Sequence, residues 1–425
     1  MRQYDEYKDT GIEWLSKLPS HWQLEQLRKY IRQVSKKGYP EKQLLSVTRE
    51  QGVIVRDTES KEENHNFIPE DLSGYKYVEE GQLVINKMKS WQGAYGVSDY
   101  EGIVSPAYFV CDLDFPIKRF FSLALRSSIY ISFFAQYSKG IRVGQWDLSP
   151  VALKSIPFLE PPLAEQEKIV SYLESKTLCI DAYVRERERE LQLLNELKES
   201  EIANVITRGL NPDVEMVNYN SLISFRHPKH WELKRNKSFM SPTGYKVGEN
   251  ADQYTLLSLT TRGVIVRDIE SGKGKFPKDF ESYQVVNKDE LIFCLFDIDE
   301  TPRTVGLVDK EGMITGAYTA LKVNEEYAIP EYVYYYYLCV DNIKALKPYY
   351  SGLRKTVRAE KFLQLYIPLP PIDEQRMIVA YIEDKCNKVD SLIDEFEAEI
   401  EYLKEYKQKL IADCVTGQIN VLSEI

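Results

Sequence analysis

Two stretches of this 425-residue chain carry nearly the same signal, and they decide its fold. Residues 156–173 read I-P-F-L-E-P-P-L-A-E-Q-E-K-I-V-S-Y-L, and residues 367–382 read I-P-L-P-P-I-D-E-Q-R-M-I-V-A-Y-I. Aligning Pro161 with Pro370, an offset of 209 residues, brings the E-Q and I-V pairs into register. About 40 residues without Pro or Gly follow each time, which predicts two helices of roughly 60 Å that begin just after the prolines.

Apolar residues in both runs recur at spacings of three and four, while the other faces are charged. The predicted seams are Ile169, Leu173, Ile180, Val184, Leu191, Leu194 and Val205 in the first run, and Ile378, Ile382, Val389, Leu392, Phe396, Leu403 and Leu410 in the second. A long helix with one narrow apolar stripe must bury it on a partner. We therefore expect the two helices to pack on each other as an antiparallel coiled coil; two unrelated bundle helices are the alternative.

The rest of the chain repeats with nearly the same offset. The motif P-x-H-W stands at residues 19–22 and again at 228–231. L-L-S-x-T and G-V-I-V-R-D occur within residues 44–57 and again within 256–268, and their β-branched content with glycine edges predicts strands. The sequence therefore predicts an α+β protein. A unit made of one mixed α/β domain and one long helix occurs twice, and the two copies are expected to be related by a pseudo-two-fold axis.

This repeat divides the chain into four segments, which are 1–160 (first domain), 161–210 (first long helix), 211–370 (second domain) and 371–425 (second long helix). Residues 1–18 are predicted to form a polar arm. A shorter helix is expected over residues 118–134, with a counterpart over 331–346. The two copies differ most in residues 58–100 and 269–310, so we expect two similar domains with different ligands.

The net charge of −10 resides on the helical segments, since each predicted domain holds 21 cationic and 21 acidic residues. The helices look like a spacer or docking surface, and each neutral domain has room for a basic face. No apolar run is long enough for a membrane span, so a soluble, cytoplasmic protein is expected. The six cysteines are scattered without a C-x-x-C pair, which predicts neither a disulfide framework nor a zinc site.

The sequence offers weak candidates for catalysis. Residues 211–213 read N-P-D and lack the aromatic of an N-P-P-[YF] motif, and no phosphate-binding glycine loop is present. Pro212-Asp213 with Glu232 and Lys234 resembles a nuclease pattern, but the first copy does not repeat it. His227 and His230 lack further ligands nearby. We therefore predict no catalytic residues and no metal site.

Several loops instead mix cations, amides, hydroxyls and an aromatic around glycine. Arg and Lys can read guanine, Gln can read adenine, and Ser, Thr and Lys can hold phosphates, although each loop alone could be an ordinary solvated one. The candidate DNA contacts are Lys87, Lys89, Trp91, Gln92, Ser138, Lys139, Arg142 and Gln145 in the first copy, and Arg303, Ser351, Arg354, Lys355 and Arg358 in the second. Trp22 and Trp231 are interpreted as core anchors in preference to base-stacking residues.

The duplicated I-P-x-[LF]-x-P-P-x-x-E-Q-x-x-I-V stretch, the P-x-H-W motif, the S-x-G-x-R-type loop and the 209-residue repeat together resemble the specificity subunit of type I restriction–modification systems. The resemblance covers nearly the whole chain. It implies two target-recognition domains separated by two long helices that pack as an antiparallel coiled coil. Each domain would read one half of a split double-stranded DNA target, and the helices would set the spacing.

The resemblance also implies partners and cofactors. Two methyltransferase subunits, which bind S-adenosylmethionine, and two restriction subunits, which use ATP and magnesium, would dock on this chain, and none of these cofactors is expected on the chain itself. A self-contained DNA methyltransferase or nuclease is the alternative that the missing catalytic motifs disfavour. A coiled-coil adaptor that does not bind DNA is a third possibility.

Overall fold

The structure, a computed structural model of the chain, describes residues 2–57, 68–140, 146–218, 221–224, 226–267 and 280–423. The chain forms two compact units. Unit 1 comprises Met1–Glu188 and Glu397–Ile425, and unit 2 comprises Arg189–Phe396. The chain passes from one unit to the other twice, and both passages lie inside long helices.

Unit 1 consists mainly of short strands, as its β-branched and aromatic runs between turn residues favour. In chain order the strands are β1 (Tyr7–Ile12), β2 (Leu15–Pro19), β3 (Gln23–Gln26), β4 (Ile31–Val34), β5 (Lys36–Lys37), β6 (Leu45–Thr48), β7 (Gly52–Val55), β8 (Lys76–Val78), β9 (Leu83–Ile85), β10 (Tyr95–Val97), β11 (Gly102–Val104), β12 (Phe109–Leu113) and β13 (Pro157–Glu160). The helices are α1 (Lys118–Arg126), α2 (Ser128–Tyr137), α3 (Pro150–Ser155) and the first part of α4 (Leu163–Arg208), with 3-10 turns at Leu27–Lys29, Ser90–Gln92 and Val421–Ser423.

The largest sheet of unit 1 is antiparallel and has the strand order β10-β9-β12-β4. Successive residues of a strand point to opposite faces. On one face Leu83 and Ile85 enter the main core with Phe134 of α2, and on the other Val84 packs with Val53 of the β6–β7 hairpin. The pairs β1–β2, β6–β7, β3–β13 and the three strands β11-β8-β5 complete the unit.

Unit 2 has a matching set of elements. Its strands are β14 (Met216–Asn218), β15 (Arg226–Pro228), β16 (Glu232–Arg235), β17 (Met240–Pro242), β18 (Leu257–Thr260), β19 (Gly263–Val266), β20 (Gln284–Val286), β21 (Leu291–Phe293), β22 (Val305–Leu307), β23 (Gly312–Ile314), β24 (Thr319–Val323) and β25 (Tyr366–Leu369). Its helices are α5 (Pro330–Asn342), α6 (Ala359–Leu363), the last part of α4 and the first part of α7 (Ile372–Val415), with 3-10 turns at Asn236–Ser238, Gly248–Gln253 and Lys347–Tyr349. The last part of α7 belongs to unit 1.

The pairing of strands repeats from unit 1 to unit 2. The sheet β22-β21-β24-β17 has the order of β10-β9-β12-β4, and the pairs β14–β15, β16–β25, β18–β19 and β20–β23 match β1–β2, β3–β13, β6–β7 and β8–β11. The predicted fold, two similar domains of mixed helix and sheet with two long helices, is confirmed.

Both long helices begin where the prolines predict. A buried glutamine supports each start, because Gln166 Nε2 donates to the Pro161 carbonyl and Gln375 Nε2 to the Pro370 carbonyl, both at 2.8 Å. The run without Pro or Gly extends to Thr416, and α7 ends at Val415. Gly417 follows with a φ of 71°, a left-handed conformation that ends helices.

Contacts between α4 and α7 within each unit show that the helices run antiparallel there. In unit 1 they are Asp181–Lys407 at 2.6 Å and Arg187–Glu399 at 3.0 Å, and in unit 2 they are Lys198–Asp390 at 2.6 Å and Glu201–Tyr381 at 3.5 Å. Residue numbers rise along α4 as they fall along α7. None of the helices in the described part of the chain is both long and apolar enough to cross a membrane.

Three local predictions are wrong. Leu392, predicted in the apolar seam of α7, is 42% exposed. The neighbouring Ile393 is partly buried and takes its place in the seam, because the next seam residue after Val389 follows at a spacing of four and not three. The helix expected over residues 118–134 is two helices, α1 and α2, broken at the extended Ser127. The supposed polar arm is the β1–β2 hairpin, whose Leu15 and Leu18 are buried in the core of unit 1.

Candidate nucleic-acid interface

The duplicated motifs P-x-H-W and P-P-x-x-E-Q contact each other in unit 1. The Trp22 indole Nε1 donates to Glu165 Oε2 at 2.5 Å, and His21 Nε2 lies 2.8 Å from Glu165 Oε1. We name these three residues clamp 1. Trp22 is fully buried, so its predicted role as a core anchor is confirmed. The clamp fixes the segment between β2 and β3 to the first turn of α4.

Unit 2 repeats the arrangement in clamp 2, which consists of His230, Trp231 and Glu374. Trp231 Nε1 donates to Glu374 Oε1 at 3.1 Å, and His230 Nε2 lies 2.7 Å from Glu374 Oε2. Trp231 is buried too, as predicted. The neighbouring His227 directs Nδ1 to the Pro228 carbonyl at 2.8 Å. Within the described ranges no three His, Cys, Asp or Glu side chains are arranged to hold a metal ion.

A glycine after a long helix closes each clamp. A Cβ on Gly417, after α7, would lie 2.5 Å from Pro19 Cγ and 3.3 Å from Trp22. A Cβ on Gly209, after α4, would lie 2.9 Å from Glu374 Oε1 and 3.3 Å from Trp231. Both glycines also have positive φ, so a side chain would be strained and would clash. The repeated motifs thus join, in each unit, the start of one long helix to the end of the other.

The candidate loops of unit 1 lie together. We name residues 87–92 and the described parts of 138–147 loop pair 1. Lys87 Nζ binds Asp147 at 3.0 Å, and the Trp91 and Trp146 rings lie with centroids 5.0 Å apart. Lys89 and Met88 are exposed beside them. The loop pair therefore presents a tryptophan pair flanked by lysines, a combination suited to phosphate and base contacts.

The remaining candidates of unit 1 divide into three cases. Lys139 is exposed, and Gln92 is half-buried. Ser138 is buried, and its hydroxyl donates to the Phe134 carbonyl at 2.7 Å, so this side chain serves the end of α2 instead of facing outward. Arg142 and Gln145 lie outside the described residues and stay predictions.

The candidate loops of unit 2 also lie together. We name residues 296–303 and 350–358 loop pair 2. Arg354 lies 3.4 Å from Asp297 and its guanidinium stands 5.1 Å from the centroid of the Phe296 ring. Lys355 lies 3.1 Å from Asp299 and 3.4 Å from Glu300. Loop pair 2 therefore carries Arg354 and Lys355 next to carboxylates and places Arg354 over the Phe296 ring, whereas loop pair 1 carries a pair of tryptophans.

The ion pair between Lys355 and Asp299 in loop pair 2 shifts the pKa of both side chains. The hydrogen bond from Lys355 lowers the pKa of Asp299, and the same bond raises the pKa of Lys355. Both groups are therefore charged at neutral pH. A phosphate that approached Lys355 would also meet Asp299 and Glu300, so the neighbouring acids weaken the electrostatic attraction of this lysine for an anion.

The other unit 2 candidates differ in exposure. Ser351 and Arg358 are exposed. Arg303 is only 17% exposed, and its Nη1 lies 3.2 Å from Asp341 Oδ2 and 2.9 Å from Asn342 Oδ1. Arg303 therefore ties its loop to the end of α5, which limits its reach toward a partner.

Sequence analysis missed the residue that supports the β6–β7 hairpin. Arg126 Nη1 donates to the carbonyls of Gly93 and Tyr95 at 3.2 and 3.0 Å. Its Nη2 donates to the Arg49 carbonyl at 2.9 Å and to the Glu50 carbonyl. Burial lowers the pKa of this guanidinium, which nevertheless stays charged. The signal available in the sequence was a cation directly after the largely apolar stretch 120–125.

Comparison with known proteins adds an independent line of evidence. A family model for the type I restriction modification DNA specificity domain matches residues 273–402. The chain is 21% identical over 373 residues to the putative type I restriction enzyme MjaX specificity subunit of Methanocaldococcus jannaschii, covering 83% of this chain and 81% of that protein. It is 23% identical over 322 residues to the type I restriction enzyme EcoBI specificity subunit of Escherichia coli, covering 71% of this chain and 66% of that one.

A solved structure shows a similar fold. A chain from a study of complex assembly and conformational transition in a type I restriction–modification system superposes with a TM-score of 0.66 at 16% identity, covering 95% of this chain and 99% of that one. The HsdS subunit from Thermoanaerobacter tengcongensis gives a TM-score of 0.49 at 14% identity, with 97% and 100% covered.

Proposed function

The chain belongs to the specificity subunits of type I restriction–modification systems, the non-catalytic DNA-recognition subunits of these enzymes, and we propose that it reads a split target with one unit on each half-site. The observation that carries this proposal is the repetition of one framework with two different loop surfaces. Strand order and clamp recur in both units, whereas loop pair 1 and loop pair 2 differ in charge and aromatic content.

Double-stranded DNA, two methyltransferase subunits and two restriction subunits are the partners in this proposal. The curated relatives are specificity subunits of restriction enzymes, which supports partners of these kinds. The long helices also expose large apolar side chains that a docked subunit could cover, namely Leu178, Leu193, Leu197 and Tyr402. S-adenosylmethionine, ATP and magnesium would be bound by those partners and not by this chain.

The experiment that tests the proposal is a methylation map. The chain is co-expressed with its methyltransferase subunit, and methylated positions are mapped over a whole genome. We expect one motif made of two specified blocks with an unspecified gap between them. The methyltransferase alone, as the control, should not give this motif. A continuous motif, or the same motif without the chain, contradicts the proposal.

We further propose that α4 and α7 set the length of the gap. Support comes from the two passages between the units, which lie inside α4 and α7. Inserting seven residues after Glu190 and seven after Phe396 keeps the heptad pattern of both helices and adds about 10 Å, or roughly three base pairs. The gap should lengthen while both half-sites stay the same. A folded, active variant with an unchanged gap contradicts the spacer role.

A further inference from the structure

A surface pocket of about 340 Å³ opens in unit 1 between the β6–β7 hairpin and the loop that follows β9. Arg49, Arg56 and Lys89 contribute cations to its lining, and Tyr108 contributes a phenol. Glu50 is the one acid among the residues that line it. Such a lining offers mainly hydrogen-bond donors, so it suits a group rich in acceptors, as found on DNA at a guanine edge or a phosphate.

The orientation of the Tyr108 hydroxyl follows from its neighbour Asn86. Asn86 is buried, and its Oδ1 accepts from the backbone N–H of Met88 at 3.2 Å. The amide nitrogen must therefore face the other way, where Nδ2 donates to the Tyr108 hydroxyl oxygen at 3.2 Å. Since that oxygen already accepts this bond, its own O–H is available as a donor. Burial also raises the pKa of Tyr108, which keeps the proton in place.

The backbone at Tyr108 is held as firmly as its side chain. Lys76 Nζ donates to the Tyr108 carbonyl at 2.5 Å. Unit 2 has the same device, because Gln284 Nε2 donates to the carbonyl of the matching Tyr318 at 2.8 Å. Tyr108 and Tyr318 stand at equivalent positions of the repeat, just before β12 and β24. Both units thus fix one tyrosine at the same point of the framework.

What surrounds this tyrosine differs between the units. Cys294 stands in unit 2 where Asn86 stands in unit 1. Asn86 directly follows β9 and donates its backbone N–H to the Ala94 carbonyl, and Cys294 directly follows β21 and donates its backbone N–H to the Thr304 carbonyl. In unit 2 the Phe296 ring stacks on Tyr318 with centroids 6.0 Å apart. The Cys294 thiol points to the Phe296 carbonyl at 3.6 Å. The shared tyrosine therefore has an amide beside it in unit 1 and an aromatic ring in unit 2.

We propose that the Tyr108 hydroxyl, oriented by Asn86, donates to an acceptor on a base edge in the half-site of unit 1, and that the residue at the position shared by Asn86 and Cys294 sets how strongly the tyrosine discriminates at that base pair. This inference rests on the proposed function of each unit as a half-site reader. Tyr108 would contact the base itself. Asn86 would act as a positioning residue through its hydrogen bond to the Tyr108 hydroxyl.

The test uses the complex of full-length chain and methyltransferase with a DNA library randomised in both half-sites. Tyr108→Phe removes only the hydroxyl, and Asn86→Cys places the residue of unit 2 in unit 1. Both variants should lower discrimination about tenfold at the same single base pair of one half-site. Tyr318→Phe, the matched control in unit 2, should leave that half-site unchanged. Normal reading of the other half-site shows, in the same molecule, that each variant is folded.

Three results would overturn the inference, and each differs from a failure of the proposed function. Uniform loss of affinity for every sequence, with a shallower dependence on salt, would make the contact a phosphate contact. Unchanged discrimination in Tyr108→Phe would exclude the hydroxyl as a reader. Effects of the two variants at different base pairs would separate Asn86 from Tyr108. If the unaltered chain shows no split preference, the proposed function itself fails before any variant is compared.

Discussion

The β6–β7 hairpin of unit 1 and the β18–β19 hairpin of unit 2 contain the same sequence, G-V-I-V-R, yet they pack differently. Val53 of β7 is buried, whereas its counterpart Val264 of β19 is only partly buried. In unit 1, Arg126 also ties the turn of the hairpin to the neighbouring strands. Identical local sequence therefore gives the same strands in both units, while the surroundings decide how firmly each hairpin is held.

The clamps show the opposite behaviour. Their residues are separated by 144 and 143 positions in both units, and both make the same pair of contacts to one carboxylate. Buried polar groups tolerate little change, since an unmatched donor costs about 1–3 kcal/mol. Exposed loops carry no such penalty, and there the copies have diverged. The buried clamps are therefore the same in both units, whereas the exposed loops differ.

The largest change in stability, and the largest difference between the two units, is expected from removing a clamp carboxylate. Glu165→Ala leaves the buried Trp22 N–H without its acceptor and should destabilise unit 1 by about 3 kcal/mol. Glu374→Ala should cost less in unit 2, because its side chain is 19% exposed against 8% for Glu165, so water can replace it. Hydrogen exchange resolved by segment measures both. Equal destabilisation by the two substitutions, or destabilisation of the unit that does not carry the substitution, would contradict this ranking.

A smaller effect is expected from Arg126→Met. This substitution keeps the aliphatic stem but removes the donors to four backbone carbonyls, at a net cost of about 1–2 kcal/mol. Amide exchange should accelerate in the β6–β7 hairpin and stay unchanged in β18–β19, which serves as the internal control. Unchanged exchange in both hairpins would show that Arg126 does not support the turn.

The smallest effect is expected from Arg354→Ala in loop pair 2. Its side chain is 74% exposed and its guanidinium already lies 3.4 Å from Asp297, so the net loss of discrimination at one half-site should be about 1 kcal/mol or less. Competition binding with half-site variants measures it. Asp297→Asn, which removes the paired charge and keeps the arginine, is the matched control and should strengthen binding. A loss at both half-sites would contradict the assignment of Arg354 to one of them.

Strong local signals made much of the fold predictable. The proline pairs set the start of both long helices, and the repeat set the two domains. Long-range contacts were beyond such reasoning: the first residues look polar, but the Tyr7 hydroxyl donates to the Gly417 carbonyl, 410 positions away. Spacing alone also could not choose between the adjacent Leu392 and Ile393, because steps of three and four are both allowed in a seam.

The candidate interface was predictable only as a set of loops. Sequence analysis named segments that lie far apart in the chain, and the fold brings two of them together in loop pair 1 and two in loop pair 2. It could not tell that the Ser138 hydroxyl turns inward or that Arg303 binds Asp341. It also passed over Asn86, Tyr108 and Arg126, whose roles depend on hydrogen-bond partners distant in the chain.

The central claim is that each unit reads its own half-site, and an exchange of one recognition part tests it most directly. Residues 20–155 are replaced by those of a related specificity subunit, and the methylation motif of the hybrid is mapped. Clamp 1 should form again in the hybrid if the related subunit has its own P-x-H-W motif, because the tryptophan of that motif can donate to Glu165. The account predicts that one block of the motif changes to the donor's while the other block and the gap stay as before. Changes in both blocks would contradict it.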